Sequence, residues 1–167
     1  MNVETMDRAS LAELQLQRLA FTLGQAFRTD FYRERLGSAG MKPGDKVSSF
    51  EEFRRIPFTS KDDLRVAYPY GLLAVPKKEV VRLHASSGTT GTPTVIYHTR
   101  EDLSAWTEIV SRSLAAAGAG PDDVFQNMMT YGLFTGGLGL HYGAENLGML
   151  VIPSGPGNTV RQFRLMK

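Results

Sequence analysis

One run of small polar residues has the composition and spacing to bind a ligand. Residues 86–93 read SSGTTGTP. Glycines at 88 and 91 permit positive φ and close approach of the backbone, and successive N–H groups can form an anion-binding nest. Hydroxyl side chains add donors without bulk, so the run suits an oligophosphate. The same composition is typical of an ordinary hairpin loop, and composition alone does not decide between the two interpretations.

Other common catalytic motifs are missing from the sequence. There is no Walker loop, no G-x-G-x-x-G dinucleotide fingerprint and no G-x-S-x-G or S-x-x-K serine motif. His84, His98 and His141 are far apart, and none stands in an H-E-x-x-H pattern. We therefore interpret the three histidines as satisfied core or surface residues, with no metal site predicted.

The composition excludes several classes of protein. The net charge is only +2, and the basic residues are scattered despite a pI of about 9.0, so no nucleic-acid partner is expected. Cysteine is absent, which removes disulfides and thiolate chemistry. No secretory signal and no membrane-spanning apolar stretch is visible. We expect a cytoplasmic protein without membrane contact.

Residues 1–76 form a mainly helical N-terminal region in our prediction. Ser10 with Glu13, Ser49 with Glu52, and Ser60 with Asp63 have the spacing of helix-capping pairs. The first pair opens a predicted helix over residues 11–27, Pro57 stops the second helix, and Pro43-Gly44 marks a turn.

Residues 77–167 form an α/β segment in our prediction. Strands are expected at 80–84, 94–98, 124–129 and 149–152, and helices at about 99–118, at about 138–147 and from Thr159. Thr99 with Asp102 is predicted to cap the first of these helices. Strands that alternate with helices favour an α/β fold with a mainly parallel sheet. The loop at 86–93 lies between two of these strands. Because the last helix is short and no strand follows it, the segment is expected to be truncated at its C-terminal end.

The order of residues in the loop resembles the phosphate-binding loop of the adenylate-forming superfamily. Most members have lysine after the loop proline, whereas Thr94 is similar to the phenylacetate-CoA ligase branch. Three further segments resemble that branch: 57–65 (PFTSKDDLR), 131–145 (YGLFTGGLG, continuing through HYGAE) and 154–162, where Pro156 and Val160 are less usual. The resemblance covers nearly the whole chain and implies the N-terminal portion of an adenylate-forming ligase large domain.

This resemblance implies an ATP-dependent, AMP-forming reaction. A carboxylate, such as that of phenylacetate or another aryl acid, attacks the α-phosphate of ATP with Mg²⁺, and coenzyme A then displaces AMP to give a thioester. The adenine, ribose and lid contacts of the family lie beyond Lys167, so the isolated chain is expected to be inactive.

The resemblance also implies roles for individual residues. Lys61 is the candidate cation for the phosphates, since Thr94 leaves the loop without a lysine, although a solvated surface lysine is the alternative. An acyl slot is expected from aromatic walls beside glycines. The ATP-phosphate loop is Ser86, Ser87, Gly88, Thr89, Thr90, Gly91 and Thr92, and the acid-binding residues are Tyr131, Phe134, Gly136 and Gly137, with Gly139 beside them.

Two other interpretations stay open on the sequence alone. The chain could be a non-catalytic nucleotide-binding or regulatory module, or a subunit completed by a companion chain or a second copy through the cut sheet edge near residues 149–152. A nucleotide hydrolase of the Walker type is disfavoured by the missing lysine motif.

Overall fold

The chain folds into two compact units. The computed structural model describes residues 3–86, 91 and 93–167. The units are Met1–Lys77 and Lys78–Lys167; the first is helical, and the second combines helices with short strands. The predicted α/β class with a helical beginning is therefore confirmed. Within the described ranges, no helix is both long and apolar enough to cross a membrane.

The first unit is built around one apolar cluster. Its helices are α1 (Arg8–Ala26), α2 (Asp30–Ser38), α3 (Phe50–Phe53) and α4 (Lys61–Val66), preceded by a short 3-10 turn at Val3–Thr5. Apolar side chains recur at helical spacing along α1, so one face of that helix is buried. The buried cluster consists of Leu23, Phe27, Leu36 and Val47.

The helix starts of the first unit confirm Ser49 and Ser60 as predicted N-caps and correct a third prediction. Ser60 and Asp63 form the predicted capping box of α4. The prediction for α1 was wrong because Asp7, not Ser10, caps that helix. The Asp7 carboxylate accepts hydrogen bonds from the backbone N–H groups of Ala9 and Ser10, at 3.0 Å each. Since an ionised carboxylate accepts better than a hydroxyl and favours the positive helix end, Asp7 takes the cap position.

The described part of the second unit contains four strands and three helices. They are β1 (Arg82–Ala85), β2 (Val95–His98), α5 (Arg100–Ala116), β3 (Val124–Gln126), α6 (Thr135–Leu147), β4 (Leu150–Ile152) and α7 (Thr159–Leu165). A short 3-10 turn, Lys77–Glu79, precedes them. The predicted alternation and the capping box of Thr99 with Asp102 are both confirmed.

The strand pairing differs from the mainly parallel sheet that the alternation predicted. Strands β3 and β4 pair in parallel through the crossover helix α6, as expected. Strands β1 and β2 instead pair antiparallel, with His84 opposite Ile96. Residues 86–94 are too short a connection for a parallel crossover, which needs a dozen or more residues. The candidate loop therefore connects the two strands of a hairpin.

Glycines allow α6 to pack closely on α5. A Cβ atom at Gly139 would lie 2.4 Å from Trp106 Cζ2, and one at Gly143 would lie 2.3 Å from Val110 Cγ1. Ser111 Oγ donates a hydrogen bond of 2.8 Å to the Gly143 carbonyl. The absence of side chains at these positions brings the two helix backbones together and fixes the start of α6.

Replacing Gly139 with alanine should destabilise the second unit by about 1–3 kcal/mol, because the added methyl group forces Trp106 out of place. Gly120→Ala is the matched control, since a Cβ atom at Gly120 meets nothing within 4 Å. Urea unfolding followed by circular dichroism and by the fluorescence of the single tryptophan measures both variants. Equal stability of the two variants would contradict the packing role of Gly139.

Candidate functional site

The hairpin of β1 and β2 closes directly beneath the candidate phosphate loop. The backbone N–H of Ser86 donates to the Thr94 carbonyl, and the Thr94 N–H donates to Ser86 Oγ, both at 2.9 Å. Because Ser86 Oγ accepts this hydrogen bond, the bond does not use the proton of the hydroxyl. The predicted loop residues Ser87, Gly88, Thr89, Thr90 and Thr92 lie outside the described residues.

Gly91 shows why a glycine is needed in this loop. Its φ is 120°, a backbone conformation that residues with side chains rarely adopt, and the residue is exposed. A substituted side chain would meet no steric obstacle nearby but would strain the backbone. The backbone conformation at position 91 therefore favours glycine.

The aromatic–glycine segment, defined here as residues 131–139, is hydrogen-bonded to the base of the hairpin. The Leu133 carbonyl accepts from the backbone N–H of Ala85 at 3.0 Å and from His84 Nδ1 at 2.9 Å. Ala85 immediately precedes Ser86, the first residue of the loop. The structure therefore brings together the two stretches that the sequence proposed as separate binding regions.

The Tyr131 hydroxyl is engaged in a network of side chains. It accepts from Asn127 Nδ2 at 2.8 Å and lies 3.1 Å from His141 Nδ1, while His141 Nε2 lies 3.0 Å from the Glu145 carboxylate. Burial raises the pKa of Tyr131, and the Glu145 charge adds to this, whereas the Asn127 hydrogen bond opposes it. The Tyr131 hydroxyl is thus held by protein groups, the ring packs against that of His141, and the predicted contact with the acid stays a prediction.

The other predicted acid-binding residues lie at the start of α6. Phe134 is 64% exposed, and a Cβ atom at Gly136 would lie 2.6 Å from the Met129 methyl group. Gly137 is buried, and a Cβ atom there would lie 2.4 Å from the Thr130 carbonyl oxygen. Gly136 therefore lies beside exposed apolar atoms. At Gly137, the absence of a side chain lets the first turn of α6 pack against the backbone of Thr130.

Lys61 is exposed on the first turn of α4, in the helical unit. The segment before α4 is held on α2 by Arg35, which donates to the Phe58 carbonyl and forms an ion pair of 3.1 Å with Asp63. Hydrogen bonds from Ser60 and the charge of Arg35 keep the pKa of Asp63 below its ordinary value. Position 61 is thus well fixed, and its predicted contact with phosphates stays a prediction.

Sequence reasoning missed the contributions of His84, Asn127 and His141. Two of these were interpreted as ordinary histidines, yet the structure gives each a hydrogen bond that fixes the aromatic–glycine segment. Asn127 is buried, and its amide joins Tyr131 to the Gly137 carbonyl. Of these three residues, only His84 had a signal in the sequence, since it ends a predicted strand two residues before the loop.

The comparisons with known proteins show which proteins the chain resembles. No protein-family model matches the sequence. Phenylacetate-coenzyme A ligases of Thermus thermophilus, Pseudomonas putida and Escherichia coli are 52%, 48% and 48% identical over 166 residues, which is 99% of this chain. The chain spans only 37% of the first relative's length and 38% of the other two.

Solved structures of a 2-hydroxyisobutyryl-CoA ligase have the same fold. One, in complex with 2-HIB-AMP and CoA in the thioesterification state, matches 96% of this chain with a TM-score of 0.84 and 32% identity. Another, in the postadenylation state with 2-HIB-AMP, has a TM-score of 0.83 and 30% identity. This chain covers 35% and 34% of those chains.

His98 should make the folded chain less stable in mild acid. Burial lowers its pKa, and the nearby His84 and Arg82 lower it further against the opposing charge of Asp102. Because the unfolded chain then binds this proton first, stability falls as the pH drops below about 6.5 towards the lower folded value.

The His98→Gln variant removes this titration and provides the comparison. Urea unfolding at pH 7.5 and pH 5.5 should show a smaller loss of stability in the variant than in the unaltered chain. A histidine NMR titration that gave His98 a pKa above its ordinary value would contradict the analysis.

Proposed function

We propose that this chain, which is similar over 99% of its length to phenylacetate-CoA ligases, supplies the phosphate-binding hairpin and part of the acid pocket of an AMP-forming aryl-acetate–CoA ligase. The relatives by their names join phenylacetate to coenzyme A, and the structural neighbours hold an acyl-adenylate with or without CoA. Because this chain spans little more than a third of those proteins, the activity is proposed for the complete protein.

The single observation that carries the proposal is the pair of hydrogen bonds on the Leu133 carbonyl. They hold the aromatic–glycine segment beside the strand that leads into the phosphate loop. A reaction between ATP and a carboxylic acid requires the two substrates to meet at one atom, the α-phosphorus. A hairpin that binds phosphates next to a segment that binds the acid satisfies this requirement.

In the proposed reaction, the acid's carboxylate oxygen forms a bond to the α-phosphorus of ATP, and the bond to the bridging oxygen of pyrophosphate breaks. The sulfur of coenzyme A then attacks the acyl carbon and AMP leaves. Residues 86–92 would hold the β- and γ-phosphates through N–H and hydroxyl donors and stabilise the charge that develops on pyrophosphate. Ser86 and Gly91 are the described residues of this set, and the Ser86 hydroxyl is its described side-chain donor.

The proposed specificity for the carboxylic acid substrate rests on exposed apolar groups near the start of α6. The Phe134 ring, the Met129 thioether and the bare Gly136 backbone lie together, with a Gly136 Cβ position 3.4 Å from Phe134 Cε1. A flat apolar ring fits such a surface better than a charged or hydrated group does. Phenylacetate or a related aryl acid is therefore the proposed substrate.

Magnesium enters the proposal only as the partner of the ATP phosphates. Within residues 3–86, 91 and 93–167, no three histidine, aspartate or glutamate side chains lie together as metal ligands. A cytoplasmic location, where ATP and coenzyme A are available, is part of the same proposal.

A second candidate role, assembly with further polypeptide, is favoured by the surface of β3 and β4. Val124 and Leu150 lie opposite each other in the parallel pair and are 57% and 64% exposed. An exposed apolar pair of this kind is suited to contact with another part of a longer chain, with a companion chain or with a second copy. A nucleotide-binding module without catalysis would share this surface but would release no pyrophosphate.

The Gly91→Val variant tests the phosphate role of the hairpin. Strain at φ 120° should lower kcat/KM for ATP at least tenfold in the complete protein, whereas KM for phenylacetate should change little. Acid-dependent exchange of pyrophosphate into ATP measures this, with Gly120→Ala as the control outside the site. Wild-type exchange in Gly91→Val would refute the assignment, and no exchange in the unaltered protein would refute the proposed reaction.

Lys61→Ala tests the candidate cation. Loss of a charged hydrogen bond to phosphate should cost about 1.5–3 kcal/mol, which corresponds to roughly tenfold to hundredfold in the ATP-dependent rate. Lys61→Arg retains the positive charge and should keep a larger share of the rate. If alanine and arginine at this position both gave the unaltered rate, Lys61 would be a solvated surface residue.

A further inference from the structure

His84 is a buried histidine whose hydrogen bonding is incomplete. Its side chain is 2% exposed, and its ring contacts the rings of His98 and Trp106 at centroid distances of 5.5 and 5.6 Å. Nδ1 bonds the Leu133 carbonyl, which assigns the proton to Nδ1, while Nε2 has no partner among the described residues. An unpaired buried nitrogen is unfavourable, so packing alone does not explain a histidine here.

The hydrogen bond of Nδ1 is what distinguishes histidine from an apolar residue at this position. Its acceptor, the Leu133 carbonyl, also accepts from the Ala85 N–H, so both of its lone pairs are used. One donor comes from the backbone of β1 and cannot vary with the side chain. The other depends entirely on the identity of residue 84.

The segment that His84 holds has few other anchors. Leu133 and Phe134 are 62% and 64% exposed, so burial of their side chains does not fix their positions. Phe134 occupies the N-cap of α6, and no side chain caps that helix. Beyond the Tyr131 hydroxyl network on the N-terminal side and the Asn127 hydrogen bond to the Gly137 carbonyl on the C-terminal side, Leu133 and Phe134 are held by the hydrogen bonds to the Leu133 carbonyl.

We propose that His84 is a positioning residue that aligns the acid with ATP, an inference that rests on the proposed function. Its ring links the strand that enters the phosphate loop to the carbonyl beside Phe134, and so fixes the distance between the two substrates. The ring touches neither substrate in this role. Misplacement of reacting groups by about 1 Å lowers rates on the order of a hundredfold without requiring weaker binding.

Two polar variants of similar size test the proposal. Asparagine places its amide nitrogen near the position of Nδ1 and can still donate to Leu133. Glutamine places its amide nitrogen near Nε2, which has no hydrogen-bond partner among the described residues. In the complete protein with ATP and phenylacetate, His84→Asn should keep kcat for pyrophosphate exchange within about threefold. His84→Gln should lose on the order of tenfold to a hundredfold in kcat, with both KM values nearly unchanged.

The controls separate folding, function and alignment. Circular dichroism and Trp106 fluorescence report whether each variant is folded, and kcat is expressed per folded molecule. Equal kcat in the asparagine, glutamine and unaltered proteins would overturn the positioning role, as would a change confined to KM. Absence of exchange in the unaltered protein would instead refute the proposed function. A rate lost equally in both variants would show that His84 does not act through its Nδ1 donor.

Discussion

The arrangement of the candidate site depends on one acceptor, the carbonyl of Leu133. Two donors from β1 converge on it, and through them the phosphate-loop hairpin and the aromatic–glycine segment become one structural unit. Because the side chains of Leu133 and Phe134 are largely exposed, these hydrogen bonds fix their positions more than burial does. A directional bond also fixes orientation, which apolar contact does not.

Close packing of α6 on α5 supports the junction between the hairpin and the aromatic–glycine segment. Gly139 and Gly143 let α6 approach α5, and Trp106 occupies the space that a side chain at 139 would fill. The same tryptophan contacts the ring of His84. The helix that begins at the proposed acid-binding region and the strand that ends at the candidate phosphate loop thus share a packing partner, so a displacement of either element changes the packing of the other.

Local signals made much of the fold predictable. Capping pairs such as Thr99 with Asp102 marked helix starts, since a hydroxyl and a carboxylate at that spacing satisfy the same backbone groups in any context. The antiparallel pairing of β1 and β2 could have been predicted from the short connection. The donor of His84 and the direction of the Tyr131 hydroxyl could not, because their partners lie far along the chain. The loop residues themselves were proposed from residue type and order, and most lie outside the described residues.

The central claim is that the hairpin binds phosphate while the segment joined to it binds the acid. A crystal structure of the complete protein with a non-hydrolysable phenylacetyl-adenylate analogue tests this most directly. We predict that the phosphate analogue lies against residues 86–92, that the aryl ring lies beside Phe134 and Gly136, and that His84 Nδ1 still donates to the Leu133 carbonyl. An aryl ring bound away from the start of α6, or a phosphate group away from the hairpin, would contradict the account.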